Sequence, residues 1–599
     1  MGKKKKELEL NVEYDWSPLQ KNIFKFVENG QGHLIVEAVA GSAKTTTLVK
    51  SLDFIPSNKK VLIVAFNKDI VTELEKKTKN HANVEVSTLH SLGLKICRRN
   101  IETISPIPDA FKYESYIRNN LRTLSSINIF KLKSNEKYRY ITNIKKFVDF
   151  GRCYLSQTVK DLEFIEERYG IDTIADEKEI AVDVLNWGKN ALESIDYGDM
   201  VWLPTALHLK PLGTLYDYIL VDECQDLNRA ERELIYKCFK MGTRMFSYGD
   251  RNQAIYSFSG ADVDSFKALK NYPNTTSLPL SISYRCSKNI VDFAKKLVPA
   301  IEANNDGREG VVKYDVSLDE VQDGDMIICR NNAPLVQIYN EFLKLGKKCF
   351  IRGKEIGNSL KNYVASTKQN DLSPTCTKDG VIPRLYNDLF TERDLIVSRF
   401  GIDKKSAMES QPIQNLLDMI RTIEVLSEGL TTSEELINRI DEIFPKKDKK
   451  NGIALSTIHK AKGLEANNVY IACKSLMPSK SAKQDWEIKQ EYNLMYVAYT
   501  RAKNTLGFIN EKDFEKFSMN ENTSKQLSAI ERLVDHLYGK KPLYDLSNPK
   551  DVMEIVNKAK DVKTSVSSSS TITLTNNNKP SSFSDILKKR KRRTIKIER

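Results

Sequence analysis

The sequence predicts an α/β protein built from two strand-and-helix units, each interrupted by a helical insertion. Short apolar runs typical of buried parallel strands occur in two series along the 599 residues. They lie at residues 33–36, 61–65, 84–87, 218–221 and 244–247, and then at 326–329, 453–455 and 469–472. Mixed-charge segments that favour helices separate members of each series. Alternation of this kind typically builds sheets that are covered by helices.

Shifts in composition divide the chain further. We assign residues 1–93 and 199–285 to the first unit and residues 286–360 and 450–540 to the second. The helix-forming segments 94–198 and 361–449 are the predicted insertions. Residues 541–599 are polar, with serine and asparagine runs and a basic cluster at Lys588–Arg593. This composition predicts a disordered basic tail.

Composition excludes several classes of protein. No apolar run approaches the roughly 20 residues of a membrane span, and no apolar stretch follows the N-terminal lysines as in a secretory signal. The nine cysteines form no CxxC pair, which favours free thiols in a reducing compartment. We therefore expect a soluble intracellular protein. Residues 579–599 hold nine basic and two acidic side chains, and Lys3–Lys6 add four more cations. The net charge of +14 is therefore concentrated at the two ends and is weak support for nucleic-acid binding.

The first apolar run leads into the segment Glu37-Ala-Val-Ala-Gly-Ser-Ala-Lys-Thr-Thr-Thr47. A strand, a small-residue turn and a helix start direct backbone N–H groups and the helix dipole at phosphate oxygens. Lys44 would reach the β- and γ-phosphates, and Thr45 would offer its hydroxyl to Mg²⁺. Ala43 stands where the usual pattern has glycine, and its Cβ would crowd the phosphates. Taken alone, the segment fits either a nucleotide cradle or a small-residue turn followed by a chance lysine.

Two later strands also end in polar residues. Asp222 and Glu223 follow residues 218–221, where a phosphate-binding fold holds Mg²⁺ and orients the attacking water. Gln253 follows residues 244–247 and could sense the γ-phosphate. Tyr256 and Phe258 offer flat faces on which bases could stack, although two such aromatic residues alone would more often belong to a core.

These motifs, in this order, resemble those of superfamily 1A DNA helicases of the UvrD/Rep/PcrA group, over roughly residues 14–510. The compact arrangement is most similar to the F-box helicase branch and its viral and bacterial relatives. Further segments carry the resemblance: Ser17-Pro-Leu-Gln20, Ala65-Phe-Asn-Lys68, Ser87-Thr-Leu-His90, Ile195-Asp-Tyr-Gly-Asp199, Ser283-Tyr-Arg285, Cys329-Arg-Asn-Asn332, Leu455–Glu465 and Glu491–Ala502.

The resemblance implies two RecA-like P-loop motor domains that enclose ATP and Mg²⁺. It assigns catalysis to Lys44, Asp222, Glu223, Gln253, Arg285 and Arg501, the two arginines acting from the second side of the cleft. It assigns nucleotide binding to Gln20, Ala40, Gly41, Ser42, Ala43, Lys44, Thr45, Thr46, Tyr284, Arg285, Gly463, Glu465 and Arg501. It assigns the metal to Thr45 and Asp222, and DNA binding to Phe66, Asn67, Thr88, His90, Tyr256, Phe258, Thr457 and His459.

The sequence also departs from the family pattern. Ala43 replaces a glycine, Ser259 an arginine and Ser283 an asparagine, while the lysine, the acids and both arginines remain. By spacing alone, His90 and His459 would be structural histidines. Three functions stay open: a 3′→5′ DNA helicase, a single-stranded DNA translocase that strips proteins without strong duplex unwinding, and a DNA-binding module that Ala43 prevents from hydrolysing ATP.

A helicase function implies particular partners and a particular cellular location. The expected substrates are single-stranded DNA and single-strand/duplex junctions in repair, recombination or replication. We expect no membrane association and a monomer or weak dimer. The basic cluster of the tail could direct the protein to a nucleus or anchor it on DNA. Residues 583–587, just before that cluster, fit either a partner-binding peptide or a solvated linker.

Overall fold

The computed structural model describes residues 15–539, apart from 106, 133, 258–259, 263, 373–379, 445–450 and 518–520. The predictions for the N-terminal lysines, Phe258, Ser259 and the tail 541–599 therefore lie outside the described residues. The described chain divides into two compact units. The first runs to Arg285 and includes Ala294–Gly307, and the second contains Cys286–Phe293 and continues from Arg308.

The first unit contains a six-stranded parallel sheet. Its strands are β1 His33–Ala38, β2 Val61–Ala65, β3 Val84–Thr88, β4 Tyr216–Val221, β5 Phe239–Gly249 and β6 Thr275–Leu280. They are ordered β3-β2-β4-β5-β1-β6. All five residues of β2 are buried, and alternate ones face different cores: Leu62 packs in one cluster and Ile63 in the other. The sheet is therefore covered on both faces, as its continuous apolar runs predict.

Helices α1 Pro18–Asn29, α2 Lys44–Ser51, α3 Lys68–Lys77 and α4 Leu89–Asn100 alternate with these strands. Polar residues at strand ends start two of the helices. Asn67 follows β2 and accepts a hydrogen bond from the backbone N–H of Ile70, and Thr88 ends β3 and accepts one from Ser91. Such capping stabilises a helix start by about 1 kcal/mol. The same residues thereby lie at the carboxyl edge of the sheet.

A helical segment with its own core interrupts the first unit. It contains α5 Lys112–Leu124, α6 Ser134–Tyr154, α7 Val159–Tyr169, α8 Glu177–Asn190 and α9 Tyr197–Ala206. Buried residues such as Ile144, Phe147 and Val184 pack together in it. The chain then forms α10 Arg229–Lys237, α11 Ser265–Lys270, the short strand β7 Ile282–Ser283, α12 Lys288–Ala294 and β8 Glu302–Ala303.

The second unit also contains a six-stranded parallel sheet. Its strands are β9 Val311–Val316, β10 Met326–Cys329, β11 Cys349–Ile351, β12 Ile453–Thr457, β13 Ala466–Ala472 and β14 Ala502–Ile509. They are ordered β11-β12-β10-β13-β14-β9. The helices are α13 Ala333–Lys344, α14 Lys354–Ser366, α15 Val381–Phe400, α16 Lys404–Met408, α17 Gln411–Ser427, α18 Ser433–Ile443, α19 Ile458–Ala461, α20 Asp485–Tyr499 and α21 Glu521–Leu537.

The predicted α/β class with two parallel sheets is confirmed. The exact boundaries assigned to the motor domains and insertions stay predictions. Among the residues that the structure describes, no helix is long and apolar enough to cross a lipid bilayer.

Candidate functional site

The turn after β1 forms a tight cradle at the carboxyl edge of the first sheet. Gly41 has a φ of +72°, and a Cβ there would lie 2.5 Å from the Cβ of Arg285 and 2.7 Å from Ser283 Oγ. Only glycine fits at this position. Ala43 also adopts the left-handed conformation, with φ 58° and ψ 35°, immediately before α2. For a residue with a Cβ this conformation costs roughly 1–2 kcal/mol.

Two acids from the end of β4 face this cradle. Lys44 Nζ lies 2.8 Å from Glu223 Oε2, and the Thr45 hydroxyl donates to Asp222 Oδ2 at 2.9 Å. The contacts form because β1 and β4 run parallel in one sheet, so that their carboxyl ends meet at the same edge. The four side chains assigned to phosphate, metal and water therefore lie together.

Burial and charge shift the pKa values of this group. Burial raises the pKa of Asp222 to about 6, and the neighbouring Glu223 carboxylate adds to the rise while Lys44 opposes it. Burial disfavours the charge on Lys44, but Glu223 and Asp222 raise its pKa above the ordinary value. Lys44 therefore stays positively charged beside the two acids. A positive charge at this position is what an incoming phosphate requires.

A hydrogen-bonded relay connects these acids to Gln253. The Gln225 amide nitrogen donates to Glu223 Oε2 at 2.5 Å, and its oxygen accepts from the backbone N–H of Asp250 at 3.0 Å. Gln253 Nε2 in turn donates to Asp250 Oδ2 at 2.7 Å. No role was predicted for Gln225 or Asp250 from the sequence. The signal that could have identified them is their position, since Asp250 directly follows β5 and Gln225 lies in the polar segment after β4.

Two of the residues assigned to nucleotide binding, Gln20 and Tyr284, lie close to the cradle. Gln20 is buried at the start of α1, where its amide nitrogen donates to the Thr47 hydroxyl at 2.9 Å and its oxygen accepts from the backbone of Ser17. The backbone N–H of Tyr284 donates to the carbonyl of Gly41 at 2.8 Å, and 40% of Tyr284 is exposed. Gln20 therefore contacts α2, which follows the cradle, and the backbone of Tyr284 is hydrogen-bonded to the cradle itself.

The backbone of Arg285 lies at the end of the first unit, where the chain passes into the second. Its role as an arginine that acts from the second side of the cleft stays a prediction. Strand β7 leads the chain past Gly41, and this brings the Cβ of Arg285 against the turn. Ala40 and Ser42 are buried in the same turn, and Thr46 lies in the first turn of α2, half-buried. The Ser42 hydroxyl has no hydrogen-bond partner among the described residues.

The nucleotide residues assigned to the second unit lie around the start of β13 and β14. Gly463 has a φ of +85° in the turn before β13, and Glu465 pairs with Lys503 at 2.6 Å. Arg501 is only 1% exposed. Its Nε donates to the carbonyl of Val497 at 3.0 Å and one terminal nitrogen donates to that of Leu464 at 3.1 Å. The guanidinium is therefore fixed by backbone carbonyls of its own unit.

Candidate DNA residues of the first unit also lie at strand ends. Phe66 is 50% exposed, and its ring stacks on Tyr256 with centroids 5.8 Å apart and planes at 10°. Asn67 and Thr88 cap α3 and α4, as described above. The ring of His90 meets Tyr197 edge-on at 6.4 Å, and burial lowers the pKa of His90.

In the second unit, Thr457 ends β12 and His459 follows it in α19. Burial lowers the pKa of His459 to about 3, and the nearby cations Arg330 and Lys462 contribute to the decrease. This imidazole is therefore neutral at physiological pH.

Within the helical segment, a buried ionic cluster joins α5 and α6 to the start of α9. Arg152 of α6 donates to Asp196 at 2.5 Å and to Asp199 at 3.1 Å, while Lys112 of α5 lies 2.6 Å from Asp199. Tyr113 also donates to Asp199, at 2.5 Å. Residues 195–199 are recognisable in the sequence as a motif, but their basic partners are not, since these lie on helices distant in sequence.

Comparison with known proteins gives matches over most of the chain. The model of the UvrD/REP helicase N-terminal domain matches residues 19–274, and that of the UvrD-like helicase C-terminal domain matches residues 354–513. Among curated relatives, the ATP-dependent DNA helicase PcrA of Staphylococcus epidermidis is 23% identical, with 88% of each chain covered. PcrA of Bacillus subtilis is 23% identical, over 88% of this chain and 87% of the relative. F-box DNA helicase protein 1 of Schizosaccharomyces pombe is 27% identical, over 81% of this chain and 56% of the relative.

Proposed function

This chain belongs to the UvrD-like helicase family, and from that premise we propose that it is an ATP-dependent DNA helicase that moves 3′→5′ along single-stranded DNA and unwinds duplexes. The observation that carries the proposal is the pair of contacts from Lys44 to Glu223 and from Thr45 to Asp222. They bring a phosphate-binding lysine and a metal-binding hydroxyl to paired acids at one sheet edge, as hydrolysis of a nucleoside triphosphate requires.

The phosphate chemistry rests on four side chains. Lys44 exchanges its Glu223 partner for phosphate oxygens, and this exchange frees the Glu223 carboxylate to accept a proton from the attacking water. The Thr45 hydroxyl and the Asp222 carboxylate are oxygen ligands of the kind that Mg²⁺ prefers, 2.9 Å apart. When bound, Mg²⁺ would neutralise charge that develops on the phosphates.

Other side chains orient the nucleotide and detect its state. Tyr284 stacks on the adenine, and Gln20 reads the edge of the base once its amide leaves Thr47. Gln253 senses the γ-phosphate and communicates with Glu223 through Asp250 and Gln225. Glu465 bonds the ribose, Gly463 allows the turn that carries it, and the forked guanidiniums of Arg285 and Arg501 neutralise phosphate charge.

DNA binding rests on side chains that follow the strands. Phe66 and Tyr256 provide stacking faces, and Asn67, Thr88, His90, Thr457 and His459 provide hydrogen bonds to the backbone. Because such contacts read little sequence, binding is general and weakens as salt rises. The substrates are single strands and their junctions with duplexes.

The decisive experiment measures unwinding of partial duplexes that carry either a 3′ or a 5′ single-stranded tail, with ATP hydrolysis followed in parallel. Lys44→Ala is the control, since it removes the phosphate-binding cation. Unwinding from the 3′ tail alone, absent in the control, is the expected result. DNA-stimulated hydrolysis without strand separation would instead identify a translocase. Absence of hydrolysis would overturn the motor assignment.

A further inference from the structure

The amino edge of the first sheet carries a concentration of basic side chains, on the side opposite the nucleotide cradle. We call it the basic rim, and it consists of Lys59, Lys60, Lys95, Arg99 and Lys240. These residues flank the starts of β2 and β4, or lie on α4 and β5 beside them. The phosphate and DNA candidates of this unit follow the ends of the same parallel strands. A ligand on the rim therefore leaves the motor site open.

Contacts show that the rim is one continuous surface. Asp217 is shared by Lys59 at 3.6 Å and Lys240 at 2.9 Å. Lys60 Nζ donates to the carbonyl of Gly213 at 3.0 Å and lies 4.3 Å from the ring centre of Tyr216.

The rim continues along α4. Lys95 lies 2.7 Å from Glu85, which also accepts from the Tyr216 hydroxyl at 2.8 Å. Arg99 donates to the carbonyl of Leu212, next to the loop carbonyl that Lys60 contacts.

The rim has more positive than negative charge. Three of its five cations, Lys59, Lys95 and Lys240, pair with the two carboxylates of Glu85 and Asp217. The side chains of Lys60 and Arg99 donate to backbone carbonyls. Burial lowers the pKa of Lys60, and the nearby cations Lys95 and Arg99 lower it further although Glu85 opposes them. The surface therefore attracts anionic groups.

A cavity and exposed apolar side chains accompany this charge. The cavity measures about 320 Å³ and is shallow and open to solvent, and its lining includes Lys59, Lys60 and Glu85. Three large apolar side chains lie exposed around the rim: Leu212, Leu215 and the fully exposed Met241. Arg99 contacts the carbonyl of Leu212, and Met241 follows Lys240 directly in the chain. Charge and apolar surface thus occupy one area.

We propose that the basic rim and its apolar border form a docking surface for an acidic segment of a partner protein that also carries large apolar residues. The carboxylates of such a segment would complement the excess cations, and its apolar side chains would cover Leu212, Leu215 and Met241. A nucleic-acid backbone would match the charge but would leave the apolar border exposed. An acidic peptide with apolar side chains matches both features. This role adds a partner-binding site to the motor function and does not depend on it.

The test uses the full-length protein and a labelled twelve-residue peptide of alternating aspartate and leucine, with binding followed by fluorescence anisotropy. Lys60→Glu/Arg99→Glu should weaken binding about tenfold, because two attractions become repulsions. Met241→Ser should weaken it by a smaller factor. Lys25→Glu, on exposed surface of α1, is the matched control and should leave affinity unchanged. Lys240→Glu, which spares the contacts of Lys60 and Arg99 with the 212–213 loop, provides a second variant if the double variant does not fold.

Three outcomes would overturn the proposal. The first is equal peptide affinity of the wild type and the folded rim variants. The second is equally tight binding of an all-aspartate peptide, which would remove the role of the apolar border. The third is a loss of affinity for a single-stranded oligonucleotide that matches the loss for the peptide, which would identify a nucleic-acid surface instead.

Discussion

The hydroxyl of Thr45 donates a hydrogen bond to the carboxylate of Asp222 at 2.9 Å, although 177 positions separate the two residues. Thr45 lies in the first turn of α2 and Asp222 directly after β4. Only the parallel arrangement of β1 and β4 brings them together. Asp222 is buried, and this contact and Lys44 oppose the rise in its pKa that burial causes. Burial of a carboxylate disfavours its charged form, and a buried carboxylate with a shifted pKa indicates a role in chemistry.

Asp222→Asn should abolish hydrolysis without unfolding the protein. The amide can still accept the Thr45 hydrogen bond, but it lacks the negative charge that a divalent cation requires. We expect DNA-stimulated ATP hydrolysis to fall at least about 100-fold, with the melting temperature unchanged or higher. Hydrolysis rates and thermal unfolding measure the two effects. Asp53→Asn, on the exposed surface near α2, is the matched control, and an equal loss there would contradict the role of Asp222.

Ala43→Gly tests the left-handed residue of the cradle. Glycine removes a strain of roughly 1–2 kcal/mol but adds about 0.5–1 kcal/mol of unfolded-state entropy. The expected net gain in unfolding free energy is therefore about 0.5 kcal/mol, measured by urea denaturation. The KM for ATP should also fall at least about twofold, because a Cβ no longer crowds the phosphates. A higher KM would show that the alanine improves the cradle, and Ala43→Val should be worse in both measurements.

The sequence predicts much of this fold because buried parallel strands are continuous apolar runs, as in β2 and β10. It misses β6, β9, β11 and β14, of which only β14 lies inside a sheet, although it predicts β3 at the other edge of the first sheet. Residues 275–280, Thr-Thr-Ser-Leu-Pro-Leu, form β6, which pairs on one side only and therefore tolerates polar residues and a proline. Strand β11, also at an edge, has only three residues and was missed as well.

Within the candidate site, local sequence places Lys44, Thr45, Asp222 and Glu223 because each follows a recognisable strand. It does not reveal the relay through Gln225 and Asp250, which depends on how the ends of β4 and β5 meet. Nor does it show that Arg501 is buried against backbone carbonyls. Contacts of this kind depend on tertiary packing rather than on local pattern.

Arg152→Met should destabilise the protein strongly. The change leaves Asp196 and Asp199 buried with only part of their compensating charge, and breaking a buried ion pair typically costs 3–5 kcal/mol. We expect a loss of about 3 kcal/mol in unfolding free energy. The matched control is Lys145→Met on the same helix, whose partner Asp149 is partly exposed and also contacts Arg152; that variant should lose less than about 1 kcal/mol. Equal losses would show that Arg152 contributes no more than a surface pair.

Phe66→Ala should weaken binding of single-stranded DNA by about 1–3 kcal/mol, because the exposed ring that stacks on Tyr256 is lost. Phe66→Leu is the matched variant, since it keeps apolar area but lacks an aromatic face. It should lose nearly as much affinity if stacking is responsible. Anisotropy with a labelled oligonucleotide measures the change, and nucleotide affinity without DNA should remain constant. Full affinity in both variants would remove Phe66 from the DNA site.

His459 should make the protein less stable in mild acid. Its pKa is about 3 in the folded state and about 6.5 in an unfolded chain. Below pH 6.5 the unfolded chain therefore binds a proton that the folded protein excludes, and stability falls as pH decreases toward 3. At pH 5 this difference amounts to up to about 2 kcal/mol.

Urea unfolding of the wild type and of His459→Gln at pH 7.5 and pH 5 measures this effect. The variant should lose less stability between the two pH values, because glutamine binds no proton in either state. His81→Gln, which removes an imidazole paired with Asp53 in the first unit, is the control and should not reproduce the change. Equal pH dependence in the wild type and His459→Gln would show that folding leaves the pKa of His459 unchanged, which would contradict the prediction.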